Sequence, residues 1–327
     1  AGYYRDSIAF PNNDRYINAY GLYITKLDNS GNTLWTKNIP TTTLNSKFTD
    51  IKAYSDGYYF VGIFDGLCYF DKGTEESTGS GYTDVFIYKT DFSGTGLWTR
   101  RTSTDASVYS GTMTKDNSGN IYFTGYFQGS FLQIETAKGQ LSNGISLKGG
   151  SDIFIYKFNK SGNLLFEKGY GSISNDWARG INFQNDFLYC TGYFSNEIIF
   201  GTDTLNSSGT GDYDILLGLL DRNGNELKAI SINGSDSNND SGLDIDSDYQ
   251  NFGYLAGYFN SAEVVVGDSI FVNPVAGNSC LLIAKYDPPY VAAFTKKVNP
   301  TCYGYTNGEL IVTPYFGVLP YTYDWSH

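Results

Sequence analysis

The stretch "IYFTGYF" at residues 121–127 returns as "LYCTGYF" at residues 188–194. A chain that rewrites one short apolar strand at a steady interval is committed to a repeat architecture, because each copy needs a neighbour to bury it. Aligning on the glycine finds five copies: "AGYY" at Gly2, "VGIF" at Gly62, "TGYF" at Gly125 and Gly192, and "AGYF" at Gly257. Successive glycines stand 60, 63, 67 and 65 residues apart. A second marker keeps the same beat: "YITKLDNSGN" from Tyr23, "FIYKTDFSGT" from Phe86, "FIYKFNKSGN" from Phe154, "LLGLLDRNGN" from Leu216, and a shortened "LLIAKYDPP" from Leu281.

Each unit reads as four strands. In the best-preserved copy these are "SGTMTKD" from Ser110, "NIYFTGYF" from Asn120, "DIFIYKF" from Asp152 and "GNLLFEK" from Gly162. β-branched and aromatic residues fill the runs, and Gly, Asn, Asp and Ser separate them. In the two "DNSG" turns (Asp28 to Gly31, Asp116 to Gly119) Asp can bond its own backbone while Gly accepts a left-handed conformation. No stretch carries helical periodicity with caps. The glycine strand is apolar at consecutive positions (Ile121, Tyr122, Phe123, then Tyr126 and Phe127), as in a strand covered on both faces. Gly125 in its middle lets a backbone or ring come close. Four-stranded units of this length, covered on both faces and repeated around an axis, predict an all-β chain of β-propeller blades. At least five blade equivalents are present, the first and last incomplete, with Gly2, Gly62, Gly125, Gly192 and Gly257 as repeat-defining structural residues rather than a ligand platform.

The order "SDIFIYKFNKSGNLLFEKGYGS…GNIYFTGYF" resembles the bacterial β-propeller repeat known as SBBP, over about residues 1–287. The first unit departs from it, with "TTTLNSKFTD" from Thr41 in place of a Gly-rich loop, and the fourth has Leu219 in place of the repeat's Lys. At Asp287-Pro288-Pro289 the beat stops, and residues 288–298 read as a linker. The remainder, 299–327, is similar to the SprB-type repeat of long adhesins on gliding Bacteroidota, through Cys302-Tyr303-Gly304, Asn307-Gly308 and "LPYTYDWS" from Leu319. That resemblance implies part of an immunoglobulin-like sandwich, with Cys302 unpaired because its family partner comes later. The single Met, Met113, and the start inside an aromatic strand read as an internal piece or a trimmed mature form, with the strand missing from the ring supplied by sequence before residue 1 or by another pairing.

Composition narrows the function classes. A net charge of −12 with scattered Lys and Arg argues against nucleic acid and anionic membranes. No apolar run approaches the ~18 residues of a spanning helix, so a transmembrane protein is not expected. The one histidine, His327, leaves no Ser-His-Asp or Cys-His nucleophile and few zinc sites. The four cysteines (Cys68, Cys190, Cys280, Cys302) sit at different places in the repeat, and Cys190 stands where Phe60 and Phe123 stand in its equivalents, as a small buried hydrophobe. Asp244, Asp246 and Asp248 alternate like a calcium loop, but the register makes Asp248 a hairpin turn and a solvated strand face is the competing reading. The six arginines (Arg5, Arg15, Arg100, Arg101, Arg179, Arg222) offer no evident triad of the sialidase kind, and the Asp-to-Gly turn spacing is one residue too long for that family's Asp-box. No cofactor, metal or catalytic residue is assigned.

The expectation is a non-catalytic, secreted cell-surface propeller of an adhesin-like protein. By resemblance to the tail's family it is exported by type IX secretion to the outer-membrane exterior and acts in surface attachment or gliding motility. Its partners would be surface polysaccharide, other cell-surface proteins and the secretion machinery. The alternative is a glycan-binding or glycan-cleaving propeller using Trp177 and the acidic loop Gly234 to Asp240. The same resemblance implies O-glycosylation at Asp-Ser/Thr-aliphatic triplets, namely Ser7, Thr204 and Ser269; Thr204 and Ser269 fall in the long, outward-facing connection between second and third strands. The competing reading is a preferred turn.

Overall fold

A computed structural model describes residues 1–11, 14–71, 73–77, 81–209, 211–267, 269–275, 277–286, 292–298 and 309–315. Its hairpins are set locally. Asp28, Asp91, Asp116, Asn159, Asp221 and Asp248 each accept, through Oδ1, the amides two and four residues ahead at 2.8–3.1 Å. Five of these turns place a glycine at φ 77–86°, and in the sixth Asn251 takes φ 70°.

These turns fold the chain into five antiparallel sheet units. The second runs Lys47–Tyr54, Gly57–Phe64, Asp84–Thr90, Gly96–Ser103; the third Val108–Lys115, Ile121–Phe127, Asp152–Phe158, Leu164–Tyr170; the fourth Trp177–Gln184, Phe187–Phe194, Asp214–Asp221, Glu226–Ile232. Each is a meander in sequence order. The first unit (Gly2–Ala9, Arg15–Leu27, Thr33–Thr41) has the counterparts of strands two to four, and the fifth (Ser241–Ser247, Gly253–Phe259, Cys280–Tyr286) those of strands one to three. The described residues contain strands and turns but no helix.

Units stack face on face. Val61, Val85 and Ile87 of the second unit pack with Phe123, Phe154 and Tyr156 of the third, and Ile153 and Ile155 of the third with Cys190 and Leu216 of the fourth. Third strands are therefore buried along their whole length, as in Asp84–Thr90 and Asp152–Phe158. The fifth unit buries one face only: Ile283 is 66% exposed, whereas its register equivalents Ile87 and Ile155 are 0%.

The repeat's lysine is an inter-unit latch. Lys26, Lys89 and Lys157 donate from the third strand to the carbonyls of Phe92, Lys160 and Arg222, each the second residue of the next unit's turn, at 3.4, 3.0 and 2.5 Å. Trp35 and Trp98 bring their indole N–H to the first two of these carbonyls at 3.2 Å. Leu219 fills the lysine position in the fourth unit; among the described residues the fifth unit has no corresponding turn to reach.

A second tie runs at the outer edge. The connection between second and third strands is a hairpin in each of four units: Leu67–Phe70 with Gly73–Glu76, Phe131–Ile134 with Ile145–Ser146, Glu197–Phe200 with Asp203–Asn206, and Glu263–Val266 with Ser269–Val272. The first two cross over and extend the preceding unit's sheet, through Thr41 opposite Cys68 and through Thr102 and Ser103 opposite Ile134 and Gln133. They cover what would otherwise be open sheet edges.

Beyond the units, Ala292–Val298 pairs antiparallel with Glu309–Tyr315. The stretch read as a linker, 288–298, therefore contains the strand Ala292–Val298, while 287–291 lie outside the described residues. Residues 299–308 and 316–327 lie outside the described residues, and with them the Cys302 expectation and most of the sandwich expectation. Cys68, Cys190 and Cys280 are free.

Candidate functional site

The first strands of units two to five, Lys47–Tyr54, Val108–Lys115, Trp177–Gln184 and Ser241–Ser247, lie side by side. As edge strands they carry amides that no ladder satisfies, and neighbouring side chains take them up. Met113 N donates to Asp50 Oδ2 at 2.9 Å, Ile181 N to Thr112 Oγ1 at 3.0 Å and Phe183 N to Thr114 Oγ1 at 3.1 Å. Thr49 and Ser110 share a hydroxyl hydrogen bond of 2.6 Å, and Asn182 Nδ2 donates to Asp246 Oδ1 at 2.8 Å.

All four strands are bulged at one level, with register shifts at Phe48/Asp50, Ser110/Met113, Ala178/Gly180 and Gly242/Asp244. A bulge re-aims the residue it carries. Here the bulged residues Thr49, Gly111, Thr112, Arg179 and Leu243 line one pocket of about 360 Å³ together with Lys47, Tyr109, Ser110, Tyr126 and Trp177. The repeat glycines help to hold this level. A Cβ on Gly125 would meet Tyr109 O at 2.1 Å, and one on Gly192 would meet Trp177 O at 1.8 Å. Gly62 and Gly257 face Lys47 O and Ser241 O in the same way, while Gly2 faces the Tyr23 ring.

One wall of the mouth is a run of rings. Tyr109 stacks on Tyr126 at 4.8 Å, Tyr126 on Trp177 at 3.9 Å, and Trp177 leads to Tyr193 at 5.1 Å. The Arg179 guanidinium lies 5.5 Å from the Trp177 ring and 5.8 Å from Tyr193. Its Nε is buried and has no hydrogen-bond partner. Burial pushes the Tyr126 phenol up to about 12, against the pull of Arg179.

Farther along the same strands is a second pocket of about 240 Å³, lined by Lys52, Tyr54, Thr114, Asn182, Asp244 and Asp246. Burial raises the Asp244 carboxyl; the Ile245 amide and Lys52 oppose that shift, and Asp50 and Asp246 add to it. Lys52 of the second unit and Asp244 of the fifth line this one pocket, so the inner strands are drawn together. The three carboxylates of "DIDSD" do not converge. Asp248 is spent on its turn and on the Tyr254 hydroxyl, and Asp246 on Asn182 and the Ser247 amide. Among the described residues no three His, Cys, Asp or Glu side chains are grouped to hold a metal ion.

Of the residues singled out from sequence, Trp177 is at the mouth. The acidic loop is not: Asp240 accepts from Asn260 N and Ser261 N, and Asp236 from Ala262 N, which fastens the loop to the fifth unit. Ser7, Thr204 and Ser269 are exposed. Asp203, beside Thr204, accepts from Lys228 Nζ at 3.0 Å and Ala229 N at 2.7 Å, so that triplet also has structural work. Sequence reasoning missed Arg179 and Lys47. The available signal was an Arg where the third unit has "SGT", but its meaning depends on a bulge that no residue pattern announces.

No protein-family model matches the chain. It is similar to a curated protein described as an uncharacterized WD repeat-containing protein, L264, of Acanthamoeba polyphaga mimivirus, at 26% identity over 250 residues, covering 64% of this chain. The chain spans 18% of that protein's length. WD repeats build four-stranded propeller blades. Together with the all-β sheet units, this likeness supports a β-propeller-type repeat protein.

Proposed function

We propose that residues 1–287 belong to a closed β-propeller serving as a non-catalytic binding module in an exported, cell-surface protein of adhesin type. The observation that carries the reading is the bulged mouth. Three successive inner strands bring Lys47, Thr49, Ser110 and Arg179 to one concave surface, to which a fourth adds Leu243, on a scaffold fixed by latches and crossing hairpins. Rigid presentation of such a surface suits recognition. The resemblance of the units to the SBBP repeat and of residues 299–327 to the SprB-type repeat supports export by type IX secretion in a member of the Bacteroidota, with a role in attachment or gliding. The exposed Ser7, Thr204 and Ser269 suit O-glycans on such a protein.

The test is made in the producing organism. Removing residues 1–287 from the gene should leave growth unchanged and abolish attachment to polysaccharide-coated surfaces, with the protein found on the cell exterior. Normal attachment, or a protein recovered inside the cell, would overturn the reading. A second reading, glycan cleavage, draws on the raised Asp244 beside Asp50 and Asp246. It requires release of reducing ends from acidic or neutral polysaccharide that Asp244→Asn abolishes.

A further inference from the structure

We propose that the mouth pocket binds an acidic sugar residue, with Arg179 gripping its carboxylate or sulfate and Lys47 supplying the second positive charge. This rests on reading the chain as a binding module and adds the chemical class of its ligand.

Arg179 is the starting point. A guanidinium carries five donors and no acceptor, and it keeps its charge at every working pH. Three other arginines are matched: Arg100 Nε donates to Gly162 O at 2.9 Å, Arg101 Nε lies 3.5 Å from Glu75, and Arg222 lies 2.7 Å from Asp186. Arg179 has no carboxylate within 4.0 Å among the described residues, and its buried Nε has no acceptor. A buried cationic donor without a partner is costly. A ligand anion cannot reach the occluded Nε but can accept from the terminal Nη groups, which make no hydrogen bond to the described residues, and that gives the pocket a preference for anions. Neither Arg179 nor Lys47 has a carboxylate within 4.0 Å among the described residues, in a chain of net charge −12.

The geometry holds the cation ready. Trp177 and Tyr193 flank the guanidinium at 5.5 and 5.8 Å, so little side-chain entropy remains to be lost on binding. The bulge at Ala178/Gly180 aims Arg179 into the pocket rather than along the sheet. Trp177 is committed to protein contacts, with Tyr126 stacked at 3.9 Å, Tyr193 at 5.1 Å and the Arg179 guanidinium at 5.5 Å from its ring. The rings preorganise the arginine.

The rest of the lining selects a sugar over a bare anion. The hydroxyls of Thr49 and Ser110, paired at 2.6 Å, can each give or take a hydrogen bond, and Thr112 adds a third. Ile63, Leu243 and the Tyr109 ring supply an apolar side for the C–H face of a pyranose. A volume of about 360 Å³ admits one or two sugar residues. It does not admit a helix or a duplex.

Isothermal titration of the 327-residue chain with glucuronate, N-acetylneuraminate and glucose 6-sulfate tests this, with glucose, N-acetylglucosamine, acetate and inorganic phosphate as comparison arms. At least one acidic sugar should bind at least about tenfold more tightly than both its neutral congener and the bare anions. Arg179→Gln should weaken it at least about tenfold, and Lys47→Gln should weaken it less while flattening its salt dependence. Arg179→Lys, which keeps the charge but not the fork, distinguishes lost recognition from lost folding: a folded Arg179→Lys chain should bind several-fold more weakly. Equal binding of neutral sugars, tighter binding of phosphate, no heat with any acidic sugar, or undiminished binding by folded Arg179→Lys and Arg179→Gln would each overturn the proposal. If attachment still requires residues 1–287 in that event, the binding-module reading stands without it.

Discussion

Replacing Lys157 by Met tests whether the repeat's lysine is a latch or a surface charge. Lys157 Nζ donates to Arg222 O at 2.5 Å, lies 3.7 Å from Asp116 Oδ2 and sits 4.8 Å above the Tyr122 ring, all in a side chain only 8% exposed. Methionine keeps the packing of the stem and removes the charge. A charge-assisted hydrogen bond contributes about 1.5–3 kcal/mol and a desolvated cation–π contact about 1–2 kcal/mol. Relief of the buried charge returns part of this: burial is the main influence on Lys157 and lowers its pKa. Tyr122 Oη still donates to Arg222 O at 3.1 Å, so the carbonyl is not orphaned. The net expectation is a loss of about 2 kcal/mol, read in urea unfolding as a lower midpoint at unchanged slope. Lys285, the same motif position in the fifth unit, is exposed, lies 3.5 Å from the Phe252 ring and has only a through-space pull on the turn carboxylate Asp248; Lys285→Met should cost below ~1 kcal/mol. Equal losses for the two variants would refute the latch. So would a neutral Leu219→Lys, which places a cation at a buried site where no described residue offers that carbonyl and should cost several kcal/mol.

Leu132→Ala removes a fully buried side chain from a crossing hairpin and should destabilise by about 2–4 kcal/mol, although the residue belongs to none of the four-stranded meanders; a loss under ~1 kcal/mol in urea unfolding would count against the tie. Gly192→Ala should destabilise by at least about 2 kcal/mol because its Cβ meets backbone at 1.8 Å, whereas Gly31→Ala, with φ +83° and open space, should cost about 1 kcal/mol. Burial raises Asp152 and Asp240 to about 6, and both titrate lower when unfolded. Their contribution is therefore full below pH ~4 and is lost as pH rises through about 6, so unfolding midpoints should fall between about pH 4 and about pH 6.5, and Asp152→Asn should flatten that slope. Glycopeptide mass analysis of protein from its own producer should find a sugar on at least one of Ser7, Thr204 and Ser269, and three bare hydroxyls would end that proposal.

What could be read from sequence was what is decided nearby. An Asp reaching amides two and four residues ahead is a local event, so "DNSG" specified its turns, and the all-β units followed from the runs between them. The purpose of the lysine was hidden because its carbonyl lies in the next unit's turn, 65 residues on for Lys157 and Arg222. The crossing hairpins were read only as a long outward connection: "LCYF" and "FLQI" are four-residue strands whose partner is the previous unit. The mouth was the least legible element. Arg179 gains its meaning from four bulges at one level, and a bulge reflects the fit between two strands rather than any residue's preference. At the far end, Ala292–Val298 pairs with Glu309–Tyr315, a strand that the prolines just before it led the sequence reading to place in a linker.

The crossing hairpins have a mechanical consequence. With Phe131–Ile134 zipped onto Gly96–Ser103, the second unit's last strand is an interior member of a six-stranded sheet. Tension that peels that strand must also shear the pairs Thr102–Ile134 and Ser103–Gln133, which belong to the following unit. The joint between units is thus overlapped like planks in a clinker hull, and load arriving at one unit is passed into the next before either opens. Under stretching such a chain should give way in coupled steps spanning neighbouring units rather than one meander at a time.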